Sequence, residues 1–233
     1  MTVYRDGPLC YISIWLFFRK SWAEARRKAR EEATMKLPQP RFEGNVSLET
    51  AIKVRRTVRS FAPDTLTLGD LSQLLWAAQG ITEDRGFKRA AASGGALYPM
   101  DIYGVLGEKC IQGLQAGIYH YEPNDHAVIR SSDGDARDAL ARAALGQMWM
   151  AGAPLNLVLT AEYARICGKY GERGVRYAMI EAGHVGQNIF LQAEARGLGA
   201  GIVGAFHDRE VAQVLKIPRS HEPLLIMPVG YKR

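Results

Sequence analysis

The sequence predicts an α+β fold, and three observations carry that prediction. Helical and strand-like segments follow one another without the steady strand–helix–strand alternation of a doubly wound parallel sheet. Two alternating segments flank the turn tripeptide Pro123-Asn124-Asp125 and read as an antiparallel hairpin. Residues 174–196 read as the longest helix, stopped by Gly197. At 233 residues the chain has room for one sizeable domain with a full core.

The elements follow in order. Pro38 and Pro40 make an extended lead-in. Ser47 is a suitable N-cap, with Glu49 in the first turn, for a helix over 48–58, which Pro63 closes. Thr67 and Asp70 have capping-box spacing. Leu68, Leu71, Leu74, Leu75 and Ala78 then give an apolar helical face, and Gly80 is placed as a C′ glycine. A charged loop (82–89) and a glycine-rich segment (90–99) precede a strand over 101–106. The hairpin strands are 117–121 and 126–130, and 133–150 is expected to be helical. The apolar run 154–160 suits a strand buried on both faces. Within the long helix Ala178, Ala182, Gly183 and Gly186 form a small-residue face. Interior glycines cost about 1 kcal/mol each against alanine, so a close neighbour is expected there. A strand over 200–203, a helix over 208–215 and a strand over 223–229 complete the chain.

Residues 1–34 stand apart from the domain expected over 35–233. Their apolar run, 9–18, is too short to cross a bilayer as a helix. A basic helix over 21–32 follows, before Met35-Lys36-Leu37-Pro38. The segment reads as an upstream start, as a leader or anchor, or as an accessory helix, so no stable membrane span is expected. The location is cytoplasmic, or extracytoplasmic if the extension is a signal.

A content of 47% hydrophobic and 23% charged residues is that of an ordinary soluble globular protein. Half of the net charge of +6 lies in residues 1–34, and no basic groove interleaved with aromatics appears, so nucleic acid is not an expected partner. Cys10, Cys110 and Cys167 have neither disulfide-framework nor zinc-ligand spacing, and no metal site is expected.

Four strings could carry chemistry. Arg55, Arg56 and Arg59 bring fixed cations together, with Thr57 and Ser60 as hydroxyl donors. The cluster reads as a phosphate grip or as a solvated basic helix end. Gly199-Ala200-Gly201-Ile202-Val203-Gly204 fits G-x-G-x-x-G, but it follows a helix and enters a strand, the reverse of the dinucleotide-binding order. What survives is backbone open enough for a flat ring. Ser93-Gly94-Gly95 opens a loop that reads as a plain turn or as a backbone cradle. Lys169-Tyr170, on a glycine-flanked loop, is either surface or an acid–base pair. Glu181 and His184 have the i, i+3 spacing of di-iron helices without a second copy, so a hydrogen-bonding role is expected.

In this order the strings resemble the nitroreductase superfamily of flavoproteins, and most nearly its SagB-type dehydrogenase branch, which includes azoline oxidases. The resemblance runs from Lys36 onward, through 55–61, 93–99, Lys169-Tyr170, Glu181-Ala182-Gly183-His184 with Gln187-Asn188, Gly204-Ala205-Phe206 and Pro228-Val229-Gly230. It implies a central, mostly antiparallel sheet flanked by helices in an intertwined homodimer, with FMN at sites shared between subunits. Arg55, Thr57 and Arg59 match the motif that holds the flavin phosphate and pyrimidine edge. Ser93, Gly94, Gly95 and Leu97 match the loop that reaches the flavin from the partner subunit. Gly204 and Ala205 match the segment near N5. Gln147, Lys232 and Arg233 are further phosphate or ribityl candidates, and Lys169 and Tyr170 match the pair implicated in proton removal from azolines. Where the branch has Pro-Ser-Ala-Gly, this chain has Ala92-Ser93-Gly94-Gly95, a looser loop. The implied function is an FMN-dependent oxidoreductase using NAD(P)H or an azoline-type donor and a small-molecule acceptor or oxygen. The second reading is a flavin-binding interaction module without turnover.

Overall fold

A computed structural model of the protein describes residues 31–83 and 86–233. The apolar run 9–18 and nearly all of the basic helix expected at 21–32 lie outside the described residues. From Met35 onward the chain forms one compact unit. Seven strands make one sheet in the order β1-β4-β3-β2-β5-β7-β6. They are β1 (Thr34–Lys36), β2 (Met100–Leu106), β3 (Gly117–Glu122), β4 (Ala127–Asp133), β5 (Leu155–Glu162), β6 (Leu198–Ala200) and β7 (His221–Tyr231). The pairings β2–β3, β2–β5, β3–β4, β5–β7 and β6–β7 are all antiparallel. The helices are α1 (Leu48–Val54), α2 (Leu68–Gln79), α3 (Arg137–Ala143), α4 (Ala164–Tyr170), α5 (Arg173–Ala195) and α6 (Asp208–Leu215).

Alternation along the central strands builds a core on each face of the sheet. Ile102 and Leu106 of β2, Leu155, Leu157 and Leu159 of β5, and Met227 and Val229 of β7 meet α2 and α5 through Leu71, Leu74, Leu75, Val185 and Ile189. On the other face Tyr103, Val105, Val158 and Ile226 meet Leu140 of α3 and Val211 and Leu215 of α6. The sheet is therefore sandwiched between helical layers, which explains why β5 reads as an unbroken apolar run. Among the described residues no helix is long and apolar enough to cross a membrane.

The α+β expectation holds, and several boundaries move for identifiable reasons. The helix expected over 48–58 ends at Val54, because Thr57 bridges Ala200 in parallel and Val58 N–H bonds the Ala200 carbonyl at 2.9 Å. The capping box is present: Asp70 N–H donates to Thr67 Oγ1, and Thr67 N–H donates to Asp70 Oδ2. Gly80 is not a left-handed C′ residue, since it has φ −64° and ψ 150°. Glycine is needed there because a Cβ would sit 2.2 Å from Trp76 Cδ1. The helix expected over 133–150 is only α3, since Leu145 and Gly146 turn left-handed (φ 56° and 72°) and a short 3₁₀ turn, Met148–Met150, follows. The strand expected at 200–203 is Leu198–Ala200. The final strand starts early, with Pro223 admitted where the β5–β7 register shifts. Lys169 and Tyr170 close helix α4 and do not lie on a loop; Gly171, at φ 56°, ends that helix. On α5 the close approach is at Gly174, where a Cβ would meet Cys167 N at 2.9 Å, whereas Gly183 faces open space.

Candidate active site

The candidate residues fall into two groups. The first gathers at the β6 edge of the sheet. Parallel bridging to Ala200 carries 55–59 past β6, and Gly199 and Gly201 permit it. A Cβ on Gly199 would lie 2.7 Å from Val58 Cγ2, and one on Gly201 would lie 2.8 Å from both the Val58 carbonyl oxygen and Trp149 Cη2. Two glycines of the G-x-G-x-x-G string thus serve this packing. Gly204 is different: it is exposed, and a Cβ there would meet nothing nearer than Leu225 Cδ2 at 3.9 Å.

The cations of this group divide by partner. Arg56 folds back onto its own helix end, donating to the carbonyls of Lys53 (3.0 Å) and Arg55 (2.8 Å). Arg55 lies 5.1 Å from the Phe190 ring and Arg59 5.8 Å from the Trp149 ring. Among the described residues neither is paired with a carboxylate. Gln147 Nε2 donates to the carbonyls of Ala144 (3.0 Å) and Ala205 (3.1 Å), so Gln147 and Ala205 are direct neighbours. Buried Asn156 fixes this corner by donating to the Met150 carbonyl at 3.2 Å. Lys232 is held at 2.5 Å by Glu194, a buried carboxylate, and Arg233 is exposed.

The second group forms where the Ser93 loop meets α4 and α5. Gly95, Ala96 and Tyr98 all have positive φ (65°, 55° and 45°), a costly backbone for the two that carry side chains. The surroundings hold it. Ser93 Oγ accepts from Tyr98 N–H at 2.9 Å, Tyr98 Oη donates to the Phe87 carbonyl at 2.9 Å, and Arg89 lies 4.4 Å from the Tyr98 ring. Leu97 packs on the main core. The loop is thus braced, contrary to the looser loop expected from Gly94-Gly95. A Cβ on Gly94 would already stand 3.3 Å from Ile166 Cδ1, and one on Gly95 2.6 Å from Tyr170 Oη and 3.2 Å from Lys169 Nζ. Lys169, Tyr170 and the Ser93 loop therefore meet at Gly95. Tyr170 stacks edge-on against Tyr177 at 5.1 Å, and the Lys169 ammonium lies 5.3 Å from the Tyr170 ring.

Beneath this loop Glu181 is 1% exposed. Gln79 Nε2 donates to its Oε1 at 3.1 Å, Arg89 donates to Gln79 Oε1 at 3.1 Å, and Glu181 Oε2 has no hydrogen-bond partner. Burial pushes the Glu181 carboxyl above its ordinary range, partly offset by Ser93, Gln79, Arg89 and His184. His184 Nδ1 bonds the Ala92 carbonyl at 3.0 Å, so it carries the proton and Nε2 is left over. No hydrogen bond, ion pair or ring contact among the described residues joins the two groups.

A profile described as "Nitroreductase family" matches residues 52–231. The chain belongs to the nitroreductase family. A protein of this family from Methanocaldococcus jannaschii is 44% identical over 199 residues, covering 85% of this chain and 98% of that protein. The microcin B17-processing protein McbC of Escherichia coli is 27% identical over 169 residues, 71% of this chain and 62% of that protein, in accord with the SagB-type resemblance. A nitroreductase-family crystal structure from Ralstonia eutropha superposes with a TM-score of 0.73 at 27% identity, covering 86% of this chain and 90% of that one.

Within this family member, sequence reasoning missed Trp149, Gln79, Arg89 and Asn156, which orient the candidates from other elements. Only Trp149, two residues after Gln147, offered a local signal. Missed too was the cluster in which Arg165 bonds Asp101 (2.8 Å) and Glu162 (2.6 Å), while His221 and His120 reach Asp101 at 2.9 Å and 3.3 Å. Asp101, Glu162 and His221 have the proximity of metal ligands, but the Arg165 guanidinium already supplies their cation. The surrounding donors hold the Asp101 carboxyl at about 2 despite its burial.

Proposed function

We propose that the protein is an FMN-dependent oxidoreductase that takes hydride from NAD(P)H or an azoline-type donor and passes the electrons to a small organic acceptor or oxygen, working as a homodimer. The observation that carries this reading is the pair of guanidiniums in the first group: Arg55 and Arg59 lie against aromatic rings and are unpaired with any carboxylate among the described residues, while Gly204 offers exposed backbone free of a side chain. Fixed cations without a counter-ion favour an anionic ligand, and backbone without side chains favours a flat one. The residues therefore fit a flavin mononucleotide. Arg55 and the Thr57 hydroxyl would hold its phosphate, and Arg59, on the Trp149 face, its pyrimidine edge. Gly204 and Ala205 would lie along the ring. When bound, FMN supplies hydride acceptance at N5, with negative charge developing at the pyrimidine edge where a guanidinium stabilises it.

The second group supports the azoline donor. Oxidation of such a ring removes a hydride and a proton from adjacent atoms, and the proton needs an acceptor. Tyr170 Oη and Lys169 Nζ converge on Gly95, which puts both polar groups of the pair where an azoline ring on that loop would give up its proton. The test is direct. The purified protein is expected to be yellow and to release FMN on denaturation; a colourless protein that cannot be reconstituted would sink the reading. Lys169→Ala and Tyr170→Phe are expected to lower azoline oxidation at least about a hundredfold while NAD(P)H oxidation changes little. Equal loss with both donors would remove the proton-transfer role.

A further inference from the structure

We propose that Arg165 and Asp101 are a positioning pair that holds helix α4, and with it Lys169 and Tyr170, against the Ser93 loop. Its effect on turnover rests on the azoline reading above; its effect on structure rests on the contacts alone. Helix α4 needs such a fastening. It has seven residues, about 10 Å of helix, and helices that short are marginal without tertiary contacts. Among the described residues no side-chain hydrogen bond caps its start at Tyr163.

The first turn supplies the anchor. Arg165 donates from Nη2 to Asp101 Oδ2 at 2.8 Å and from Nε to Glu162 Oε2 at 2.6 Å. Its Nη1 lies 3.5 Å from the Tyr98 carbonyl oxygen, and Glu162 N–H bonds the Pro99 carbonyl at 2.9 Å. Asp101 stands on β2, the strand into which the Ser93 loop runs. One guanidinium therefore ties the start of α4 to that strand and to the backbone of the loop. Asp101 is fixed in turn by His221 at 2.9 Å and His120 at 3.3 Å.

Helical spacing carries this anchor to the far end of α4. Side chains four positions apart share a face, which pairs Arg165 with Lys169 and Ile166 with Tyr170. Ile166 is fully buried, and a Cβ on Gly94 would stand 3.3 Å from its Cδ1. Gly95 has Tyr170 Oη and Lys169 Nζ at the corresponding distances of 2.6 Å and 3.2 Å. The approach is close along the whole helix, so a tilt at Arg165 displaces the pair at its other end. Desolvation offsets much of the attraction within a partly buried ion pair, so stability is not its main yield. A forked guanidinium fixes angle as well as distance, and direction is what α4 lacks by itself.

The experiment compares Arg165→Met, Asp101→Asn and the double variant in full-length protein with labelled tyrosine rings and glycine amides. Both single variants are expected to shift the Tyr170 ring and Gly95 amide signals. The double variant is expected to shift them no further than the larger single change, because the two residues make one contact. Both histidines still face Asp101 in Arg165→Met, so the carboxylate keeps partners and the fold is expected to stand. Thr67→Ala, which weakens the cap of α2, is the control for a merely structural loss and is expected to leave both signals in place. With an azoline donor, kcat of Arg165→Met is expected to fall about tenfold with KM within about twofold. Unmoved signals in the single variants, additive shifts in the double variant, equal shifts in Thr67→Ala, or an unchanged kcat beside moved signals would each overturn the pair. An unsubstituted protein that oxidises no azoline would instead sink the donor reading, and the Tyr170 and Gly95 signals would then decide the pair by themselves.

Discussion

Arg56 and Arg59 lie three positions apart and share a chemistry, yet their surroundings give them different work. Arg56 is spent on the carbonyls of Lys53 and Arg55, where a cation offsets the C-terminal charge of α1. Arg55 and Arg59 lie against aromatic rings, which orient a guanidinium without neutralising it. The residues alone left the phosphate grip and the basic helix end open for the cluster, and the family resemblance set Arg59 apart as a ring contact; the geometry sets Arg56 apart as the one that serves the helix end. Arg55→Ala with Arg59→Ala is expected to weaken FMN retention at least about a hundredfold, two charge-assisted contacts being lost. Arg56→Ala is expected to leave retention within about threefold, because its hydrogen bonds serve the helix end. Equilibrium dialysis of the two variants measures this. Retention falling equally in both would return the cluster to a single undivided grip. Trp149 had a local signal only through its neighbour Gln147; its pairing with Arg59 is set by tertiary placement, and nothing near Arg59 in the chain announces a ring contributed from 149.

At the scale of elements, what was legible was local. The capping box of α2, the hairpin and the span of α6 are each encoded within a few neighbouring residues and stand in the structure. What moved was decided from afar: α1 ends where the β6 edge takes over the backbone of Thr57 and Val58. Helix α4 was missed because a seven-residue helix carries too few apolar periods to register; its Ile166 is buried and its amphipathic pattern is brief. The α2 cap also supports distant structure. Thr67 Oγ1 donates to Asp70 Oδ2 at 2.6 Å, and Asp70 Oδ1 accepts from Arg196 at 2.7 Å, just beyond the end of α5. Thr67→Ala is expected to cost about 1 kcal/mol and lower Tm by roughly 2–4 °C in a domain of this size. Thr67→Ser, which keeps the hydroxyl, is expected to restore most of it. An unshifted melting curve for Thr67→Ala would mean that the cap contributes nothing beyond the Arg196 pair.

The whole molecule adds two constraints that no element carries alone. The first is acid stability. Asp101 sits 13% exposed between Arg165, His120 and His221, and its carboxyl is held down at about 2 from an ordinary 3.8. A folded-state pKa below the unfolded one contributes stability above the unfolded value, and that contribution is lost as pH falls from about 4 through about 2. Asp101→Asn is therefore expected to flatten the stability curve across that window. The second constraint is assembly. On α1, Leu48, Ile52 and Val54 are 60%, 55% and 43% exposed, and nearby Phe42 is 78% exposed. These apolar residues on one short helix, with Ala51 its buried member, are surface that the proposed homodimer would cover. In the proposed homodimer each subunit would give its Arg55 group to one flavin and its Ser93 loop to the other. Leu48→Glu with Ile52→Glu is expected to halve the light-scattering mass to that of one 25.8 kDa chain. Neither residue is a proposed flavin contact, so FMN loss in the same variant would follow from the lost partner alone. A dissociated chain that keeps its FMN would place the whole cofactor site within one subunit and leave the Ser93 loop with a role other than holding flavin.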